Sequence, residues 1–177
     1  MSEKNLFGLA AEFETQDELF RAAEKAFAEG YRKMDGFAPF PIEGLADALG
    51  KKNRVPLMVL LGGIIGGAGA YYMQWYANVI SFPINIGGRP MHSWPSFIPI
   101  TFELTVLCAG LTAFFGALAT SGLPRPYHPM FNLPDFARAS QDRFFLCIET
   151  RDPAFDPAKT REFLQSLHPL QVAEVPK

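Results

Sequence analysis

Hydrophobic positions along the chain fall into two long, nearly uncharged segments flanked by mixed sequence. Residues 55–80 contain no Asp, Glu, Lys or Arg, and residues 97–121 contain one charged side chain, Glu103. Because an α-helix rises about 1.5 Å per residue, roughly 20 residues are enough to cross the hydrocarbon core of a bilayer. We therefore predict two transmembrane helices, at 55–80 and 97–121, joined by a loop at 81–96.

The N-terminal flank, residues 1–54, has the pattern strand, helix, strand. Apolar residues alternate with others at 7–13, as in a half-buried strand. The segment Thr15–Glu18 is a capping box that begins a helix. A second strand is predicted at 31–37, and a short amphipathic helix lying along the membrane at 42–49.

The C-terminal flank, residues 122–177, repeats this order after a proline-rich stretch at 124–134. The apolar run 144–148 is short enough for a buried strand. Asp156 followed by Pro157 indicates the start of a helix, and residues 172–175 can form a last strand. We expect the proline-rich stretch to be an extended strap.

Neither flank is large enough to bury a core alone. Together they predict one four-stranded sheet with two helices on one face, the ferredoxin-like split arrangement. The predicted fold is thus a transmembrane α-helical hairpin inserted into a small α+β ferredoxin-like soluble domain.

Basic residues predict how the hairpin is oriented. Lys51, Lys52 and Arg54 precede the first span and Arg125 follows the second, whereas the loop contains only Arg89. The positive-inside rule then places both termini in the cytoplasm and the loop outside, in the inner (cytoplasmic) membrane. The net charge of -2 gives no reason to expect a nucleic-acid partner.

Cysteines and histidines do not suggest a cofactor site on this chain. Cys108 lies in the second span and Cys147 in a predicted strand, so no disulfide, zinc or haem motif is expected. His92, His128 and His168 all fall outside the spans. We expect no metal or cofactor to be bound by this chain.

Glu103 is the clearest candidate for chemistry. It lies about six residues, or roughly 9 Å, inside the second span. An ionised carboxylate facing lipid costs several kcal/mol, so Glu103 should face protein, water or another polar group, or be protonated. It is either a residue linked to proton transfer or quinol, or a structural hydrogen-bonding group directed at a neighbouring subunit.

Small residues in the spans indicate close helix packing. Gly62 and Gly66, and Gly63 and Gly67, form GxxxG pairs that let another helix approach closely. The second span offers a matching stripe of small residues at Ala109, Ala113 and Ala117. Packing within the hairpin explains one face, and glycines on further faces predict an additional partner helix.

The segment 93–107, SWPSFIPITFELTVL, together with the glycine-rich first span and the exit sequence 126–129, PYHP, resembles the D subunit family of alternative complex III. The resemblance runs essentially from end to end. It implies an accessory, non-catalytic membrane subunit of a bacterial quinol:electron-acceptor oxidoreductase, which passes electrons from quinol to a cytochrome c or similar carrier in respiratory or photosynthetic electron transfer. It also implies that haem c, iron–sulfur clusters and the quinol sites belong to partner subunits, among them large multi-helix subunits.

Two other classes of protein stay open on the residues alone. One is a free-standing membrane assembly or regulatory protein, and the other is a small proton-coupled transporter subunit that uses Glu103. Co-purification separates them from the complex subunit, since only the last should be recovered with a multi-haem assembly.

Overall fold

The computed structural model describes residues 6–177, which form two compact units. The first unit combines residues 6–52 with 126–177, and the second is the continuous segment 53–125. The second unit is therefore an insertion within the first.

The first unit contains a four-stranded antiparallel sheet in the order β2-β3-β1-β4. Its strands are β1 (Leu6–Phe13), β2 (Met34–Phe37), β3 (Phe144–Glu149) and β4 (Gln171–Pro176). The two central strands, β1 and β3, come from opposite sides of the insertion. Neither half of the sequence could complete this sheet alone, and the predicted mixed α/β domain with a four-stranded sheet is confirmed.

Within residues 6–177 there are five α-helices: α1 (Gln16–Ala28), α2 (Leu45–Ala48), α3 (Val55–Trp75), α4 (Trp94–Thr120) and α5 (Pro157–Ser166). The predicted capping box begins α1, because the Thr15 hydroxyl accepts from the Glu18 N–H and the Glu18 carboxylate accepts from the Thr15 N–H. Asp156 caps α5 by accepting from the backbone N–H groups of Ala158 and Lys159.

One face of the sheet carries the larger core. Leu9, Ala11 and Phe13 of β1 pack in one cluster with Leu19 of α1 and Leu164 of α5. Leu45 and Leu49, at the ends of α2, are also buried in this cluster. The segment predicted to lie along the membrane thus places these apolar side chains in the α/β core.

The opposite face is covered by the proline-rich stretch, which is not simply extended. It contains the 3₁₀ helix Pro129–Asn132, and a second 3₁₀ helix, Pro134–Ser140, begins at its last proline and continues beyond it. A second buried cluster joins their apolar residues to the sheet, and its members are Phe7, Ala10, Met130, Leu133, Phe136, Ala139, Phe145, Cys147 and Val175. The sheet is therefore covered on both faces, whereas the sequence pattern predicted a helical layer on one.

A register irregularity in β1 explains why Phe7 leaves the face shared by Leu9, Ala11 and Phe13. The pairing with β4 shifts between Leu6 and Gly8. At Gly8 a Cβ atom would collide with the Ile148 carbonyl oxygen of β3. Gly8 is needed because no side chain fits this close approach of two strands.

The second unit is the α3–α4 hairpin. Helix α3 continues into a π-helical turn, Tyr76–Ser81, so that each arm is a continuous helix of 27 residues, or about 40 Å. In the most apolar windows of the two arms only 11% and 6% of the residues are buried within the chain. Both arms are long and apolar enough to cross a membrane, and the core helix of a soluble protein would be mostly buried.

Candidate functional site in the helical hairpin

The four glycines of the GxxxG pairs all face α4 of the same chain. A Cβ atom at Gly66 would come within 2.5 Å of the Cys108 Cβ, and one at Gly67 within 2.5 Å of the Thr105 hydroxyl oxygen. A Cβ at Gly62 would collide with Thr112, whereas one at Gly63 would be in ordinary contact with Ala109, at 3.6 Å. The close approach expected from these glycines occurs within the hairpin itself, and a further partner helix there stays a prediction.

The threonines that contact these glycines form hydrogen bonds within their own helix. Thr105 donates to the Thr101 carbonyl and Thr112 to the Cys108 carbonyl, both at 2.7 Å and both within α4. Because each hydroxyl is satisfied by its own helix, it can pack against a glycine without needing a partner on α3.

Gln74 links the two helices near the loop, a contact that the sequence pattern did not single out. Its Nε2 lies 3.1 Å from the Phe97 carbonyl oxygen and 3.2 Å from the Thr101 hydroxyl. The backbone carbonyl of Gln74 accepts from the Asn78 side-chain NH₂ group. The side-chain oxygen of Asn78 accepts from the Arg89 guanidinium group of the loop. The only available signal was the position of an amide residue within an otherwise apolar run.

An open groove at the same end of the hairpin is lined by Ala68, Tyr71, Tyr72, Trp75 and His92. The Tyr71 hydroxyl is hydrogen-bonded to Nε2 of His92 at 2.7 Å, so this loop histidine is held against α3. The aromatic rings stand near the loop, as amphipathic anchors at a headgroup layer would.

Glu103 lies on the face of α4 that points away from α3. Its side chain is exposed, while the following residues, Leu104 and Thr105, lie against Gly66 and Gly67. Within residues 6–177 it makes no hydrogen bond or ion pair. The structure therefore does not bring Glu103 together with the glycines, and none of the residues 6–177 is its hydrogen-bond or ion-pair partner.

The alanine stripe of α4 turns gradually from the inside of the hairpin to the outside. Ala109 is in contact with Gly63, Ala113 is half-buried, and Ala117 is exposed. The cause is geometric, since a four-residue step exceeds one helical turn by about 40°. The end of the stripe approaches the face that carries Glu103.

The α/β domain contains one buried carboxylate that joins two loops. Asp152 is 5% exposed and accepts from the N–H groups of Arg32 and Lys33, both at 2.5 Å, and of Ala154 at 2.8 Å. Burial alone would raise the pKa of Asp152, but these amide donors, aided by the charge of Arg32, lower it below its usual range. The group is best explained as a structural clamp between the start of β2 and the loop after β3.

Metal-ligating side chains are scattered in the part of the chain that the structure describes. Among residues 6–177 no three His, Cys, Asp or Glu side chains lie close enough together to hold a metal ion. The two cysteines are separate, Cys108 in α4 and Cys147 buried in β3. Where the expected haem, iron–sulfur and quinol groups lie stays a prediction about partner subunits.

Comparison with known families decides the identity. The sequence matches the family described as "Alternative complex III, ActD subunit" over residues 7–174. The chain belongs to the ActD subunit family of alternative complex III. As an ActD subunit it is part of a multi-subunit assembly of electron transport, and the resemblance seen in its sequence is confirmed. No protein with a curated description matches it.

Proposed function

We propose that this ActD chain is an accessory, non-catalytic subunit that supports assembly of alternative complex III from within the inner membrane. The observation that carries the proposal is the hairpin: two 27-residue apolar arms whose side chains mostly point outward, in a chain of the ActD family. Lipid and partner helices are the two surroundings that suit such outward-facing surfaces. Quinol oxidation, haem c and iron–sulfur clusters are then the work of partner subunits, including the large multi-helix ones.

The proposed orientation puts the α/β domain in the cytoplasm. Basic residues at 51–54 and at Arg125 flank the hairpin, and the loop contributes only Arg89. The domain is inferred to be ferredoxin-like, because its strand order, β2-β3-β1-β4, and its βαβ halves agree with that topology. The hairpin would occupy the connection between β2 and β3.

A second function is proposed for Glu103, that of assisting proton movement linked to quinol oxidation. What favours it is the position of the residue, which is within an apolar arm, exposed and turned away from its own hairpin. A carboxylate there can exchange protons with a neighbouring subunit or with water that reaches this depth.

Purification of the full chain from membranes tests the accessory role. The tagged protein is extracted in mild detergent, and the eluate is examined for subunit composition and for a haem absorption spectrum. Recovery with several other subunits and with haem supports the proposal. Recovery as a haem-free homo-oligomer would instead favour a free-standing regulatory protein or a proton-coupled transporter subunit.

A further inference from the structure

The outward face of α4 carries a seam of residues that repeats every seven positions. Glu103, Gly110 and Ala117 are spaced by seven, with Val106 and Ala113 between them at the alternate three- and four-residue steps. Seven residues fall only about 20° short of two helical turns, so these five side chains follow one line along the helix. All of them are exposed except Ala113, which is half-buried.

This seam, residues 103–117 at heptad spacing, is distinct from the face that packs on α3. The inner face uses Thr105, Cys108 and Thr112, which meet the glycines of α3. A Cβ added at Gly110 would meet no other atom within 4 Å. The seam is therefore open, and Gly110 forms a notch in it where another backbone can come close.

Glu103 decides which occupant suits the seam. Lipid tails offer the Glu103 side chain no hydrogen-bond partner, and an unsatisfied polar group that faces hydrocarbon is unfavourable. A second copy of the chain, inserted with the same orientation and packed symmetrically on this seam, would place two Glu103 carboxylates opposite each other. Two ionised carboxylates that face each other across the seam would repel, so a second copy complements the seam less well than a helix that supplies a basic group.

We propose that the seam docks a transmembrane helix of a neighbouring subunit that carries a basic side chain opposite Glu103. The small residues let the two helices approach closely, and the Glu103 carboxylate accepts hydrogen bonds from the basic group at the contact. This inference rests on the proposed function, because it needs a neighbouring subunit, and it specifies which face of the hairpin that subunit meets.

Site-specific photocrosslinking in the assembled complex tests the docking face. A benzophenone amino acid is placed at Leu107, beside Glu103 on the exposed face of α4. The comparison position is Ile65, which is 71% exposed but lies on α3. The full chain is irradiated in membranes, and adducts are identified by mass spectrometry. We expect Leu107 to crosslink to a span of another subunit that contains Lys, Arg or His.

A matched pair of substitutions provides a second measurement. Gly110→Leu fills the notch in the seam, whereas Gly69→Leu adds the same group in open space on α3. We expect Gly110→Leu to lower recovery of the chain with the complex at least several-fold and Gly69→Leu to leave it unchanged.

The outcomes separate the docking face from the accessory role. If the chain is recovered with the complex but Leu107 yields only lipid adducts, a second copy of this chain or a span without a basic residue, the docking proposal is overturned and the accessory role stands. If the chain is recovered with no other subunit, both are overturned.

Discussion

Among the glycines of the hairpin, Gly66 of α3 comes closest to the backbone of the other helix, at Leu104 of α4. A Cβ atom built on Gly66 would lie 2.9 Å from the Leu104 carbonyl oxygen and even closer to the side chain of Cys108. Backbone cannot move aside as a flexible side chain can, so glycine is the residue that allows this packing.

Gly66→Ala should therefore destabilise the hairpin by roughly 1–3 kcal/mol, the usual cost of overpacking. Gly69→Ala is the matched control, because a Cβ at Gly69 meets nothing within 4 Å. The chain has two tryptophans, Trp75 and Trp94, both in the hairpin. Their fluorescence during thermal unfolding in detergent reports on the hairpin alone, and equal midpoints for the two variants would refute the packing argument.

Much of the fold could be predicted because its local signals agree with each other. The capping box at Thr15 and Glu18, the Asp156 cap and the apolar run of β3 each specify an element from neighbouring residues. The four-stranded sheet was predictable because neither half of the sequence is large enough to bury a core alone. Pairing shifts such as the one at Gly8 and the covering of the second face by Met130 and Phe136 depend on contacts between distant segments, which periodicity does not encode.

The candidate site was predictable in its residue types but not in its faces. Glycines at four-residue spacing indicate close packing, yet only the structure shows that α4 fills all four positions. The sequence placed Glu103 within a span, whereas its orientation away from α3 follows from which residues α4 turns inward. Gln74 was missed because an amide side chain in an apolar run carries no local signal for its partner.

Asp152→Asn should loosen the α/β domain by about 1–3 kcal/mol at neutral pH, since charge-assisted bonds from Arg32, Lys33 and Ala154 are weakened or lost. The pKa of Asp152 is lowered in the folded protein, so its contribution is fully present above the ordinary carboxyl pKa of about 3.9 and is lost as the pH falls through the lower folded value.

Urea unfolding of the full chain in detergent, followed by far-ultraviolet circular dichroism at pH 7 and pH 3, measures this contribution. The difference between wild type and Asp152→Asn should shrink at the lower pH. Glu24→Gln, at an exposed position on α1, is the control and should change little at either pH. A difference that does not vary with pH would mean that the Asp152 charge contributes nothing.

Cysteine labelling tests the orientation of the hairpin. A membrane-impermeant maleimide added to intact cells should label Ile86→Cys in the loop and should not label Glu24→Cys in the α/β domain. The background from native thiols should be low, because Cys108 packs against Gly66 and burial raises the pKa of the Cys147 thiol well above its usual value. The reverse labelling pattern would invert the proposed topology.

Glu103→Gln and Glu103→Leu separate proton transfer from docking. Glutamine keeps the size and a hydrogen-bonding oxygen but cannot titrate, so we expect the subunit to remain bound while quinol-oxidation turnover falls and its pH profile changes. Leucine removes the polar group and leaves its partner unsatisfied, so the subunit should be recovered in lower amounts. Turnover of Glu103→Gln that equals wild type across the pH range would leave only the structural role.

Reciprocal purification tests the accessory role of the hairpin most directly. The complex is isolated through a tag on a haem-bearing subunit, from cells that make either the full chain or a version whose residues 55–120 are replaced by an unrelated two-span hairpin of equal length. Subunit stoichiometry is measured by quantitative mass spectrometry. The full chain should be recovered in a fixed ratio to the haem-bearing subunit and the replaced version should be absent, whereas equal recovery of both would contradict the claim that this hairpin holds the subunit in the complex.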